Sequence, residues 1–190
     1  MRKIVFGMTV SLDGFMEGPG HDLGWHAISH DVHQYFNDLL RPMSAFVDGR
    51  RTWQLMADYW PTADDDPTEP EVVKEFAGIW REKQKFVYSR TLDESALAWN
   101  TTLVREVDPD QVRALKEQPG GDIALGGAEL GAAFMAHDLI DEYSVNVVPI
   151  VLGAGTPMFK PLDHRIELEH VETRTFDNGL VVLRYERPRG

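Results

Sequence analysis

Ala45-Phe46-Val47-Asp48-Gly49-Arg50-Arg51-Thr52-Trp53 is the stretch on which the reading of the whole chain turns. An apolar run ends at Asp48 and a glycine follows. Two arginines and a threonine then lead into a helical apolar stretch through Trp53, Leu55 and Met56. That is the order of a strand, a tight turn and a helix start. Glycine at such a turn lets the backbone approach a ligand closely. The first amides of a helix have no partner inside it, and the helix dipole favours an anion there. Arg50 and Arg51 add fixed positive charge and planar donors suited to phosphate. The 190-residue chain carries a formal net charge of -12, so this cationic spot stands against an acidic background. The segment reads as a phosphate-binding turn for a nucleotide cofactor. Taken alone, it is equally compatible with a surface turn bearing two solvated arginines.

Working outward, strand-like segments alternate with helix-like ones. Ile4 to Val10, Ala45 to Val47, Lys85 to Ser89, a weaker Thr101 to Val104, Ile123 to Leu125 and Tyr143 to Val148 read as strands. Asp31 to Leu40 places Val32, Tyr35, Phe36, Leu39 and Leu40 on one helical face, and Glu71 to Arg81 repeats the pattern. Asp108-Pro109 is an N-cap followed by proline at the first helical position, and Leu130 to Leu139 supplies a further helix. Such alternation predicts an α/β fold with a mainly parallel sheet. The C-terminal part differs. Arg165 to Phe176 alternates apolar and polar residues, Asp177-Asn178-Gly179 signals a turn, and Leu180 to Tyr185 is strand-like again. This predicts an antiparallel hairpin at the sheet edge. Pro61 to Pro70 lacks apolar periodicity and reads as an exposed acidic loop.

The length suits one domain spanning residues 1–190, and 43% hydrophobic with 26% charged residues is ordinary for a globular protein. No apolar run approaches the roughly 20 residues of a membrane span. The start lacks the features of a secretory leader, and there are no cysteines for disulfides or thiolate metal sites. A cytoplasmic protein is therefore expected. A sequence pI near 4.9 argues against general nucleic-acid binding.

Two further strand ends carry chemistry. Asp122 to Leu130 sets Gly126 and Gly127 where a strand meets a helix, so that backbone amides can face a pyrophosphate. The spacing is not the dinucleotide G-x-G-x-x-G, and the pair also fits a simple tight turn. Glu129, in the first helical turn, suits the dipole as well as it suits a ligand. Ser89-Arg90-Thr91 ends another strand with a hydroxyl and a guanidinium that can fork onto a phosphate. Open α/β sheets bind ligands along this carboxyl edge, so the three sites reinforce one another.

Gly7-Met-Thr9-Val-Ser-Leu-Asp13-Gly14-Phe15, Gly49-Arg50-Arg51-Thr52-Trp53, Ser89-Arg90-Thr91, Gly126-Gly127-Ala128-Glu129-Leu130, Leu139-Ile-Asp141-Glu142-Tyr143 and Pro149 to Phe159 stand in a familiar order. Together they resemble the dihydrofolate-reductase-like proteins related to the reductase domain of the bifunctional riboflavin-biosynthesis deaminase-reductase. The resemblance spans almost the whole chain. It implies a central mixed sheet with flanking helices, NADPH (with NADH as a variant), and hydride transfer to a pteridine- or pyrimidine-like substrate. It implies Thr9 and Met16 beside the nicotinamide, and Gly49, Arg50, Arg51 and Thr52 on the 2′-phosphate and pyrophosphate. Ser89 and Arg90 would flank the adenosine phosphate, with Gly126, Gly127, Ala128 and Glu129 at the pyrophosphate turn. Gly153 and Gly155 would shape a turn. Asp48 departs from the family, whose pattern there is often apolar. A carboxylate at that position would weaken 2′-phosphate binding or pair with an arginine.

Authentic dihydrofolate reductases place a buried carboxylate on the first long helix; here spacing aligns no acid unambiguously, Asp31 is the nearest candidate, and as a residue at a helix start it is also a natural cap. His26, His30 and His33 share a helical spacing, but a helix starting near His30 leaves the metal-binding case incomplete. Three functions are compatible with the sequence. One is an NADPH-dependent reductase of a pteridine- or pyrimidine-like heterocycle. The second is a riboflavin-pathway aminopyrimidine reductase, against which stand the missing deaminase domain and the lack of a second basic cluster. The third is a non-catalytic nucleotide-binding module. A homodimer is expected, joined through Tyr143 to Val148 and the C-terminal hairpin, with no nucleic-acid or membrane partner.

Overall fold

A computed structural model describes residues 1–26 and 28–188. An eight-stranded sheet runs through it in the order β5-β4-β3-β6-β1-β7-β10-β9. The strands are β1 (Ile4–Ser11), β3 (Ala45–Gly49), β4 (Gln84–Tyr88), β5 (Thr101–Val104), β6 (Ile123–Gly126), β7 (Glu142–Val148), β9 (Glu169–Thr175) and β10 (Val181–Glu186). From β5 to β7 every pairing is parallel, and β10 pairs antiparallel with both β7 and β9. A second, two-stranded sheet joins β2 (Phe15–Glu17) to β8 (Thr156–Pro157). The helices are α1 (His30–Leu40), α2 (Arg50–Tyr59), α3 (Glu71–Glu82), α4 (Pro109–Glu117) and α5 (Ala128–Ala136). None of them is long and apolar enough to cross a membrane, among the described residues.

Apolar runs in the central strands follow from burial on both faces. On one face Ile4, Phe6, Ala45, Val47, Ile123 and Leu125 pack against Val112 of α4 and Leu130, Phe134 and Met135 of α5. On the other, Phe46 packs with Phe76, Ile79 and Trp80 of α3. Further along that face, Val148 and Val182 pack with Val32 and Tyr35 of α1. The helical spacing of these apolar residues is what turns α1 and α3 toward the sheet.

Three boundaries differ from the sequence reading, each for a physical reason. The acidic loop is not fully exposed: Trp60–Asp65 forms a 3₁₀ turn with Pro61 and Ala63 buried. Arg81 holds it there by two bonds to Asp64, at 2.5 and 2.6 Å. Helix α5 starts two residues early, because Gly127 takes φ 97° as its N-cap. The alternation from Arg165 does not begin a strand; Ile166 instead packs on the core, and β9 starts only at Glu169. Strand β7 also lies inside the sheet, between β1 and β10, so of the segments expected to join two copies only the outer strand of the hairpin presents a free edge.

Candidate functional site

Strands β3 and β6 are neighbours, but their helices leave to opposite faces. Trp53 of α2 packs with Val87 and Leu92, whereas Leu130 and Phe134 of α5 pack in the opposite core. A crevice must open at the carboxyl ends of two such strands, and open α/β sheets bind ligands there. Here the two turns touch. A Cβ on Gly127 would stand 3.1 Å from Thr52 Oγ1 and 3.6 Å from the Gly49 nitrogen. A Cβ on Gly126 would meet Asp48 Oδ1 at 2.5 Å and Thr52 Cγ2 at 3.2 Å. The N-termini of α2 and α5 thus share one cradle, with glycine required at Gly127 by its positive φ as well as by space.

The Ser89-Arg90-Thr91 turn joins this cradle. Arg50 donates to Thr91 Oγ1 at 2.8 Å across the ends of β3 and β4. Ser89 Oγ accepts from the amides of Thr91 and Leu92 at 3.3 and 3.0 Å, so its hydroxyl shapes the turn, and Arg90 is exposed beside it. The row extends one strand further. Arg105, beyond the end of β5, donates to the Leu92 carbonyl at 2.9 Å and reaches that of Ser89 at 3.4 Å. It borders a hollow of about 510 Å³ lined by the 104–109 segment and Gln111. The sequence reading passed over Arg105, although a basic residue ending a strand is the same signal that singled out Arg90.

Arg51 has a different partner from Arg50. Its Nε lies 3.1 Å from Glu17 Oε2, and Glu17 also accepts from Thr156 Oγ1 at 2.7 Å and meets His21 Nδ1 at 2.8 Å. Burial pushes the Glu17 carboxyl up, but the bonds from Thr156 and His21 and the charge of Arg51 outweigh it and hold it below the usual range. Arg51 therefore ties the cradle to β2, where half-buried Met16 packs on the core. Thr9, also half-buried, sits on β1 opposite Asn146. Gly153 and Gly155 do shape a turn: Gly153 donates to Asp13 at 2.7 Å, and a Cβ on Gly155 would collide with the Glu17 carbonyl. The Ser11 hydroxyl and the amides of Gly153 and Leu152 pull Asp13 down to about 2 against a weaker burial effect.

Three candidates sit differently from the sequence reading. Asp31 is turned out to solvent, its side chain 80% exposed beside His30, and the cap of α1 is Ser29, which accepts from Val32. Helical geometry causes this: with Val32 and Tyr35 facing inward, Asp31, Gln34 and Asp38 fall on the outer side. Glu129 is likewise exposed and pairs with Lys160 at 2.5 Å, while Ala128 is buried in the helix start. Asp48 pairs with no arginine. It is buried, and the charge acting on it is Lys85. His33 packs on Trp60 and Phe76, while His30 is exposed.

The chemistry of this donor set fits a nicotinamide dinucleotide. Two helix N-termini and a glycine turn suit its pyrophosphate, and Arg50 with the Ser89–Thr91 turn suits a phosphate on its ribose. A second cavity, of about 280 Å³, lies at the opposite edge of the sheet among Val5, Met43, Asp122, Glu142 and Arg184, away from these groups.

The model of the RibD C-terminal domain matches residues 2–182. The chain is 36% identical over 188 residues to the uncharacterized protein YyaP of Bacillus subtilis (strain 168), covering 97% of this chain and 94% of that protein. A solved structure from Shewanella sp. PV-4, ascribed to riboflavin biosynthesis, superposes over the full length of both chains with a TM-score of 0.76 and 25% identity. The dihydrofolate reductase of Enterococcus faecalis, solved with NADP(H), shares the fold with a TM-score of 0.65 at 15% identity, covering 98% of this chain and 97% of its own. With its cradle at the β3–β6 switch point and a match over nearly all its length, the chain belongs to the RibD C-terminal domain family.

Proposed function

We propose that this protein is an NADPH-dependent reductase that transfers hydride to a small pteridine- or pyrimidine-like heterocycle. The observation that carries the reading is the meeting of the Gly49 and Gly127 turns at the switch point, with Arg50 bridging to Thr91. When bound there, the reduced nicotinamide would supply the hydride. Gly126, Gly127 and the first amides of α2 and α5 hold the pyrophosphate, because unpartnered helix-start amides favour an anion. Arg50, Ser89, Arg90 and Thr91 take the ribose phosphate that distinguishes NADPH from NADH. Arg51, engaged by Glu17, positions the turn more than it reads the phosphate. Thr9 and Met16 flank the reacting ring, and Asp13 fixes the loop after β7 beside them.

Within that class the riboflavin-pathway aminopyrimidines are favoured by the full-length likeness to the Shewanella structure at 25% identity. Calorimetric titration with NADPH and NADH, followed by absorbance at 340 nm with pterins, folates and aminopyrimidines, tests the reading. Tight NADPH binding and its oxidation by one of these compounds is the expected result. Binding without turnover across the panel would leave a nucleotide-binding module, and failure to bind either nucleotide would overturn the proposal.

A further inference from the structure

The sheet face beneath α1, α2 and α3 has a bare strip at its centre. Asp48 of β3 pairs in register with Gly126 of β6, Gly7 of β1 with Ser144 of β7, and Thr9 with Asn146. Gly126 and Gly7 each follow the last paired residues of their strands, Leu125 and Phe6. Residues in register on adjacent strands share a face. Phe46, two before Asp48, packs under α3, and Val148, two after Asn146, packs under α1. The two helices thus cover the flanks and leave Gly126 and Gly7 between them. A Cβ on Gly7 would find only Ser144 within 4 Å. This is a groove open above Gly7, and at its Gly126 end, beside the cradle, the Asp48 carboxyl and the Thr52 methyl group cover the glycine.

One polar side chain on each bank is more than nine-tenths buried and lacks a full set of protein partners. Asp48 is 7% exposed, and no described residue donates a hydrogen bond to its carboxyl. Its Oδ1 leans over Gly126, into the space a side chain there would fill. Lys85, the nearest opposite charge, gives its ammonium to the carbonyls of Trp80 and Lys83, both at 2.7 Å. Asn146 is also 7% exposed; its Oδ1 is met by the Ser144 hydroxyl at 3.5 Å, and its Nδ2 has no acceptor among the described residues. Neither belongs to the fully sealed polar atoms of the described residues, so their unpaired atoms still reach the surface, where a ligand can complete them.

Resting on the reductase reading above, we propose that Asp48 and Asn146 are the specificity-determining residues of this groove. The carboxyl of Asp48 meets an amino or ring N–H group of the heterocycle, and the carboxamide of Asn146 pairs with a ring carbonyl or ring nitrogen. Three strand spacings of about 4.8 Å separate the two backbones, a span suited to two side chains with a one- or two-ring heterocycle between them. Burial pushes the Asp48 carboxyl up to about 7 against the pull of Lys85. Thr52 of α2 and Gly126 of β6, which also face it, carry no charge. Near neutral pH the group can therefore accept a hydrogen bond or donate one.

The test uses 5,6-diaminouracil, with 5,6-diamino-1,3-dimethyluracil as the analogue whose ring N–H groups are blocked. Each is titrated calorimetrically into the NADPH-saturated protein, its Asp48→Asn variant and its Asn146→Leu variant. The expected result is binding of diaminouracil to the unmodified protein, weakened about tenfold or more by methylation and by either substitution. Both variants should still bind NADPH, which also reports that they are folded. Equal diaminouracil affinity in all three proteins, or no diaminouracil binding to a protein that does bind NADPH, overturns the assignment. A protein that binds no NADPH instead overturns the reductase reading, so the two failures are distinct.

Discussion

Replacing Asp48 by asparagine should remove a pH dependence of stability that this carboxyl alone imposes. In the fold, burial moves its pKa from the ordinary 3.8 up to about 7, with the charge of Lys85 pulling the other way. Between those two values the folded protein binds a proton at Asp48 that the unfolded chain has released. Stability therefore falls as pH rises from about 4 to 7: the raised pKa contributes stability that is fully present at low pH and is lost as pH climbs through the folded value. At about 1.4 kcal/mol per pH unit, the interval corresponds to about 4 kcal/mol. Lys85, itself pushed down to about 8 by burial against the pull of Asp48, stays cationic across this window, so its attraction is already included.

Asparagine has nearly the shape of a protonated aspartic acid and does not titrate. Urea unfolding of both proteins at intervals from pH 4 to pH 8 isolates the effect, because every other carboxylate, Asp13 and Glu17 included, is common to the two. The variant should match the parent near pH 4 and exceed it by up to about 4 kcal/mol at neutral pH, the difference levelling off above pH 7. A stability difference that does not change with pH would refute the reasoning, since it would mean that Asp48 titrates in the fold as it does in the unfolded chain.

Other perturbations probe the cradle. Arg50→Ala should cost NADPH roughly ten- to a hundred-fold in affinity with little effect on NADH, as for a lost charge-assisted hydrogen bond; Arg51→Ala, which frees Glu17, should leave the ratio of the two affinities close to that of the parent. Gly127→Val should abolish NADPH binding even where circular dichroism shows a folded protein at low temperature, and unchanged affinity would reduce the double glycine to a turn. Sedimentation at micromolar concentration should show a species near twice the 21.5 kDa chain, held through the free edge of β9; the single-chain mass alone would count against it.

Most of the fold was legible because its strands and helices announce themselves by period. Ile4 to Val10 and Ile123 to Leu125 are apolar without alternation, as strands buried on both faces must be, and both lie at the centre of the sheet. The cradle was legible only in part: glycine and arginine at strand ends fit plain surface turns as well, and it is the strand order that brings the Gly49, Ser89 and Gly127 turns together. What the sequence could not carry was direction. Asp31 and Asp48 look alike on paper, one opening a helix and one ending a strand. The helical phase set by Val32 and Tyr35 turns the first outward, and the register of β3 with Gly126 turns the second inward. Asn146 and Ser144 were hidden for a related reason: in Tyr143 to Val148 they alternate with apolar neighbours and look like the wet side of a half-exposed strand. Only the position of β7 between β1 and β10, under α1, makes that side an interior one.

That distinction bears on why a costly carboxyl persists at Asp48. An apolar side chain over Gly126 would fill the same space without the burden of an unpartnered buried acid, and would make the protein more stable at neutral pH. The burden falls at the point where the glycine floor meets the two helix N-termini, and the charge of Lys85 relieves it only in part, because the Lys85 ammonium gives its hydrogen bonds to the end of α3. Elsewhere the chain does satisfy its buried acids. Glu142 accepts two bonds from Arg184, and Glu17 is met by Thr156, His21 and Arg51. A fold that completes those carboxylates and leaves Asp48 open is set up for a partner that arrives from outside, in the groove beside the glycine cradle.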